Sequence, residues 1–281
     1  MKKLVVVDGS NLLFQMFYGM PARIANREGR AIHGTLGFVG ALRKIIRMTA
    51  PSHLAVLFDG ECANPRRELD GDYKANRPDY SAIPEEDTPF SQLPDIFRAL
   101  DHLGIAWAET MECEADDWIA GYARRYGGET DVVIVSQDSD FYQLIGDRVQ
   151  VLRYRGEKSV LWDRDTLRHR LGIAPEQYAD FKSLTGDTAD NIRGAEKIGP
   201  KTAAALLAQF GTLEALLSDP GAVAKPSVRE SVIRNTDRLR TNYALIRLDG
   251  AENLPFAPEQ LRLREMPLTT REVLTAVGIL P

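Results

Sequence analysis

Four acids fall within six residues at Glu112-Cys113-Glu114-Ala115-Asp116-Asp117, ahead of Trp118-Ile119-Ala120. The segment opens a helix, because Ile119, Tyr122 and Ala123 recur at helical spacing until Gly127 and Gly128 stop the pattern. Aspartate is a poor helix former, and like charges this close raise one another's pKa. Taken alone, Glu114, Asp116 and Asp117 fit a solvated first turn favoured by the helix dipole. The other chemistry open to them is an oxygen-donor site for a divalent cation, which would cancel the repulsion.

The neighbouring elements decide between the two. Continuous apolar runs at Leu4 to Val7, Leu54 to Phe58 and Val132 to Val135 read as central parallel strands covered on both faces. Helical stripes lie between them: Leu36, Val39, Leu42, Ile45 and Ile46, then Leu93, Ile96, Phe97 and Leu100. The alternation predicts an α/β fold with a mostly parallel central sheet flanked by helices. Each strand runs into acid: Asp8, Asp59, and Asp138 with Asp140. Ligands of such sheets bind beyond the carboxyl ends of the strands, so these acids should gather at one edge. One aspartate there can be a helix cap, as Asp8 before Gly9-Ser10 suggests. Three strands ending alike, plus the acidic helix start, favour a metal-binding bowl.

Without His or Cys ligands the bowl favours Mg²⁺ or Mn²⁺ over zinc. Two ions about 4 Å apart would suit phosphodiester hydrolysis. An aspartyl-phosphate mechanism would want a second Asp two residues after Asp8, where Ser10 stands, and GTLGFVG at 34 to 40 lacks the lysine of a phosphate loop.

Beyond Trp162 strand signals fade and short helices follow. In LTGDTADNIRGAEKIGPKTAAALLAQFGTLEALL, Asp187 and Asp190 precede a turn at Gly194, and Ile198-Gly199-Pro200 leads into a helix near Lys201. A glycine turn before a helix offers N–H groups and dipole to a phosphate, although IGPKTA alone fits a plain turn equally well. Arg66, Arg67 and DYKANRP (72 to 78) interleave basic and aromatic residues as phosphate contact and base stacking require. By itself that stretch also reads as a solvated loop, since Glu68, Asp70 and Asp72 dilute it.

Composition sets wider limits. The 281 residues, 44% hydrophobic, allow one large domain or one plus a smaller one. No apolar run reaches membrane-spanning length, and the apolar stretch of MKKLVVVDG breaks too early for a signal peptide, so the cytoplasm is the expected compartment, with no membrane partner. Cys62 and Cys113 lack zinc or disulfide spacing and read as ordinary thiols. A net charge of -5 argues mildly against nucleic acid, but the nine carboxylates of the bowl exceed that imbalance and leave the remainder net positive.

With VVVDGSNLLF, LFDG, DYKANRP, ECEADDWIA, SQDSDFYQL and TGDTADNIRGAEKIGPKTA in order, the chain resembles the 5′-nuclease family: flap endonucleases and the 5′-to-3′ exonuclease domain of bacterial DNA polymerase I, here in free-standing form. The resemblance implies a PIN-like nuclease domain over residues 1 to 165 with an arch at about 61 to 90, a helix-hairpin-helix region over 166 to 240, and a segment 241 to 281 folding back on the first domain. It implies that Asp8, Asp59, Glu114 and Asp116 surround one Mg²⁺ and Asp138, Asp140 and Asp187 a second, with Asp116 between them, Asp117 and Asp190 in the outer shell, and Mn²⁺ as a substitute. Lys74 and Arg77 match basic arch residues near the scissile phosphate, and Tyr73 a stacking residue. Gly194, Lys197, Ile198, Gly199 and Lys201 fall in the duplex-binding hairpin, where relatives hold K⁺. The implied activity is Mg²⁺-dependent cleavage of DNA at 5′ ends, nicks or 5′-flap junctions in replication or repair, by a monomer with no protein partner indicated. The alternatives are a structure-specific DNA-binding protein with little catalysis, and, less favoured, an RNA-directed nuclease. Three departures stand out: Gln15 for a frequent Arg, Arg193 for Pro, and Lys197 for a hairpin Gly, which removes easy access to positive φ.

Overall fold

The three apolar runs form strands β1 (Lys3–Asp8), β2 (His53–Phe58) and β4 (Asp131–Val135), joined by β3 (Ala106–Glu109), β5 (Val149–Arg153) and β6 (Val160–Trp162). The computed structural model describes residues 2–60, 65–111, 113–264 and 268–281; Glu112 and Cys62 of the sequence reading lie outside them. Sheet order is β3-β2-β1-β4-β5-β6, with β1 to β5 parallel and β6 antiparallel. This is the mostly parallel sheet expected. β3, β5 and β6 escaped the sequence reading because half-buried residues such as Gln150 and Arg153 break their apolar runs.

In the first part of the chain the helices are α1 (Gly9–Gly19), α2 (His33–Thr49), α3 (Pro65–Leu69), α4 (Leu93–Leu103), α5 (Ala115–Tyr126) and α6 (Arg164–Leu171). In the second they are α7 (Tyr178–Thr185), α8 (Pro200–Phe210), α9 (Leu213–Ser218), α10 (Pro226–Arg234), α11 (Thr236–Ile246) and α12 (Thr270–Ala276). A short antiparallel ladder, β7 (Gly186–Asp187) with β8 (Ile192–Arg193), joins α7 to the hairpin before α8.

Successive strand residues point to opposite faces, so each central strand feeds two cores. Val5, Val7, Val56 and Phe58 pack with Phe38, Leu42 and Ile96 of α2 and α4. Leu4, Val6, Leu57 and Ile134 pack with Ile119 and Tyr122 of α5, and that cluster runs on through Leu184, Leu207, Leu216 and Val232 of the later helices. Strand order reverses between β1 and β4, opening a crevice at their carboxyl ends. Register places Asp8 opposite Leu57 and Val7 opposite Val135, so the acids after all three strands emerge side by side.

After α11 the chain runs back along α5. Ala251 N–H donates to the Asp117 carbonyl at 2.7 Å, Arg124 donates to the Leu248 carbonyl at 2.7 Å, and Leu263 N–H donates to the Ser52 carbonyl beside β2 at 3.0 Å. Gly121 makes this approach feasible, because a Cβ there would lie 2.5 Å from the Ala251 carbonyl oxygen. Among the described residues no helix is long and apolar enough to cross a membrane. Gly121→Ala should push this segment off α5 and cost about 1–3 kcal/mol, as overpacking does; urea unfolding measures it, and an unchanged midpoint would show that the contact yields freely.

Candidate metal centre and nucleic-acid interface

Asp8 is both last residue of β1 and N-cap of α1: it accepts from Asn11 N–H at 2.9 Å and from the Ser136 hydroxyl, just beyond β4, at 2.8 Å. The capping reading of Asp8 is therefore also true. Asp59, beyond β2, accepts from Ala115 N–H at 2.8 Å and so fixes the start of α5, while its own N–H donates to Ser10 Oγ at 2.8 Å. Glu114 is the residue before α5, and Asp116 and Asp117 occupy its first turn, with Trp118 and Ile119 packed against the core as expected. Burial pushes the Asp8 carboxyl up to about 7, with the Asp59 and Asp138 charges adding. Burial also raises Asp116 well above the carboxylate range, helped by Asp138, Asp8 and Asp59. Asp8, Asp59, Asp116 and Asp138 thus act on one another, whereas Glu114 is turned to Lys74 and Arg66.

The second group straddles the two halves of the chain. Asp138 accepts from Asp140 N–H at 2.8 Å in the turn after β4, and Asp187 and Asp190 come from the β7–β8 turn. Single carboxylate oxygens of Asp140, Asp187 and Asp190 lie within 4.8 Å of one another. Asp140 Oδ1 is buried without a hydrogen-bond partner. Burial raises Asp138 and raises Asp140 well above its ordinary value, with Asp138 adding to the latter. A donor set of carboxylates alone, mutually repelling and with an orphaned oxygen, fits a hard divalent cation.

Cations reach these acids from two directions. Arg66 of α3 grips Asp117 at 2.9 and 3.3 Å and Glu114 at 2.5 Å, and Lys74 Nζ meets Glu114 at 2.5 Å. Burial opposes both charges, yet the acids hold each above its ordinary value, and Lys74 and Arg66 in turn hold the buried Glu114 below its own. Arg77 pairs with Asp190 at 3.1 Å. Lys182, which sequence reasoning missed, comes from α7 to hydrogen-bond Asp187 and stands 3.7 Å from Asp140. No sequence signal marked it: Lys182 stands five residues before Asp187, and only the placement of α7 shows that its run, Phe181-Lys182-Ser183-Leu184, is otherwise buried. Ser136 was also missed.

The structure corrects two expectations. Tyr73 is 4% exposed and packs with Ala179, Ile192, Leu245 and Ile246, so its ring offers no face for a base. Its hydroxyl approaches Asp190 at 3.5 Å, and Lys74 N–H donates to the Asp190 carbonyl at 3.0 Å, docking this segment onto the β7–β8 turn. Ile198 is a core residue and contributes packing, not side-chain contact with DNA. Gln15 shares the Tyr154 carbonyl with Gln137, each donating at 2.7 Å.

In the hairpin, Gly194 has its Cα against the Thr185 backbone, where a Cβ would lie 2.4 Å from the carbonyl carbon. Lys197 takes φ +65°, so the turn keeps its left-handed residue without glycine. Lys197, Gly199 and Lys201 are exposed, as is Arg67 of α3, and Gly199 leaves the start of α8 without a side-chain cap. A polar cavity of about 540 Å³ opens beside the hairpin, lined by Asp70, Asp72, Arg193, Glu196 and Arg238 among others.

Residues 3–172 match the family model described as the 5′-3′ exonuclease N-terminal resolvase-like domain, and 173–268 match the 5′-3′ exonuclease C-terminal SAM fold. The chain is 36% identical to Rhizobium leguminosarum DNA polymerase I over 254 residues, covering 87% of this chain and 24% of that protein. It is 35% identical to the thermostable DNA polymerase I of Thermus aquaticus over 272 residues, covering 93% and 31%. It therefore spans only about a quarter to a third of these relatives' length. Among solved structures, the T5 5′-exonuclease with bound zinc superposes with a TM-score of 0.71 at 24% identity, over 87% of this chain and 89% of that one. The bacteriophage T5 flap endonuclease, in a pseudo-enzyme-product complex with DNA and metal ions, gives 0.72 at 22%, over 99% and 94%.

Four raised carboxyls have a thermodynamic consequence. Burial raises the carboxyls of Asp8, Asp116, Asp138 and Asp140 above their unfolded values, so their contribution to stability is full below about pH 4 and is lost as pH rises through the raised values, which for Asp8 is about 7. Urea unfolding in EDTA should show stability declining from pH 5.5 to 8. Asp8→Asn, which keeps an acceptor for Asn11, should flatten the decline by an amount on the order of a few kcal/mol; an unaltered slope would mean that Asp8 is ionised throughout.

Proposed function

The chain belongs to the 5′-3′ exonuclease family, and from that premise we propose that it hydrolyses DNA phosphodiesters at 5′ ends or 5′-flap junctions in replication or repair, using two Mg²⁺ ions for which Mn²⁺ substitutes. The observation that carries this reading is the convergence of acids from β1, β2, α5, β4 and the β7–β8 turn on one sheet edge, with cations laid across them. Asp8, Asp59, Glu114 and Asp116 are assigned to one ion, and Asp138, Asp140 and Asp187 to the other, with Asp116 between them. When bound, such a pair lowers the pKa of an attacking water and stabilises charge on the phosphoryl group.

The remaining chemistry belongs to the side chains. Asp117 and Asp190 orient Arg66 and Arg77, and Lys74 brings its ammonium to the Glu114 rim, where it polarises the scissile phosphate. Exposed Arg67, Lys197 and Lys201, with the backbone at Gly194 and Gly199, hold the duplex through its phosphates without reading bases. In this division of labour residues 1 to 165 carry most of the cleavage site, 166 to 240 complete it with Asp187 and grip duplex, and 241 to 281 brace the first part. K⁺ is assigned to the hairpin, because Lys197 preserves the left-handed turn. The protein acts as a monomer in the cytoplasm.

A 5′-labelled flap duplex tests the reading. Cutting near the junction is expected with Mg²⁺ and not with EDTA. Asp116→Ala should lower it at least roughly 10³-fold and Lys74→Ala roughly 10²-fold, while gel shifts in Ca²⁺ show most DNA binding retained. Wild-type binding without cleavage in either Mg²⁺ or Mn²⁺ would overturn catalysis and leave recognition of branched DNA as the function.

A further inference from the structure

Lys182 is the one charged residue that α7 sends into the second carboxylate group among the described contacts. Its side chain is 12% exposed, its ammonium hydrogen-bonds Asp187, and it stands 3.7 Å from Asp140. That Asp140 oxygen is buried and has no hydrogen-bond partner, so the lysine neutralises it without satisfying it. Asp138, Asp140, Asp187 and Asp190 bring four negative charges together, and Lys182 with Arg77 on Asp190 reduces the sum to the charge a single divalent ion cancels.

We propose that Lys182 is a positioning residue that sets the affinity of the second carboxylate group for its divalent ion, by sharing Asp140 and Asp187 with that ion. The inference rests on the assignment of Asp138, Asp140 and Asp187 to the second ion. The ammonium and the ion repel across a few ångströms of buried site, so the group holds its ion more weakly than three free carboxylates would. In exchange, the loaded group is close to neutral, and an incoming phosphodiester meets no residual negative charge.

Mn²⁺ binding to the full chain, followed by calorimetry and by electron paramagnetic resonance of the free ion, tests this without reference to cleavage. Wild type should bind two ions, and Asp187→Ala should identify the second by losing it. Lys182→Met, which keeps the apolar stem, should bind that second ion about tenfold more tightly or better, with the first changed by less than about twofold. Lys182→Arg keeps the charge and should stay near wild type; Lys182→Gln replaces Lys182→Met if the latter does not fold. DNA affinity in Ca²⁺ should fall in the neutral variants. A second-ion affinity unchanged or weakened in folded Lys182→Met or Lys182→Gln overturns the proposal while leaving the metal assignment intact. Failure of wild type to bind a second ion, or retention of both ions by Asp187→Ala, overturns the assignment and the proposal together.

Discussion

Two carboxylates about 4 Å apart at an effective dielectric near 20 repel by about 4 kcal/mol, a large fraction of what holds a domain folded. Acids follow β1, β2 and β4 at one sheet edge, and burial drives the carboxyls of Asp8, Asp116, Asp138 and Asp140 upward together. Much of the surrounding architecture answers that constraint. Arg66 and Lys74 meet Glu114 and Asp117, Arg77 meets Asp190, and Lys182 meets Asp187 and Asp140. The backbone contributes too, through Ala115 N–H on Asp59 and Asn11 N–H on Asp8.

The same balancing couples the two halves of the chain. Asp138 and Asp140 follow β4, but Asp187 and Asp190 arrive only when α7 and the β7–β8 turn have folded, and a continuous apolar cluster runs from Leu4 and Ile134 to Leu207 and Val232. The segment after α3 closes the arrangement: Tyr73 is buried against Ile192 and Leu245, Asn76 donates to the Thr188 carbonyl at 2.9 Å, and Arg66 donates to the Leu245 carbonyl at 3.1 Å. Residues that bring positive charge to the acids are thus held by the part of the chain that supplies half of the second group.

Strands covered on both faces were legible because they leave continuous Val/Leu/Ile runs, and the acids beyond them were legible because parallel sheets place such residues at one edge. The outer strands were not: Gln150 and Arg153 break the apolar run of β5, next to the edge, and Ala106 to Glu109 at the edge is only half buried. The acids of the bowl could be found by type and position, but their partners could not. Lys182 looks like any helical lysine until α7 is placed, and Ser136 until β1 and β4 are paired in register. Tyr73 was misjudged because an aromatic between charged residues reads as exposed, whereas the fold of residues 70 to 77 onto the β7–β8 turn turns it inward.

Two lysines in the left-handed region mark where the chain accepts strain, and they do so for different reasons. At Lys74, with φ +57°, glycine would relieve a cost of about 1–2 kcal/mol but remove the ammonium that reaches Glu114. At Lys197, with φ +65°, the side chain is exposed and the need is for the turn itself, which Gly194 packed on Thr185 and Ile198 packed in the core hold from both sides. A lysine in this conformation costs stability that a glycine would not. It also adds a positive charge where the duplex phosphates are proposed to lie. The backbone geometry that a phosphate or K⁺ would meet depends on the packing around the hairpin more than on the residue at its turn.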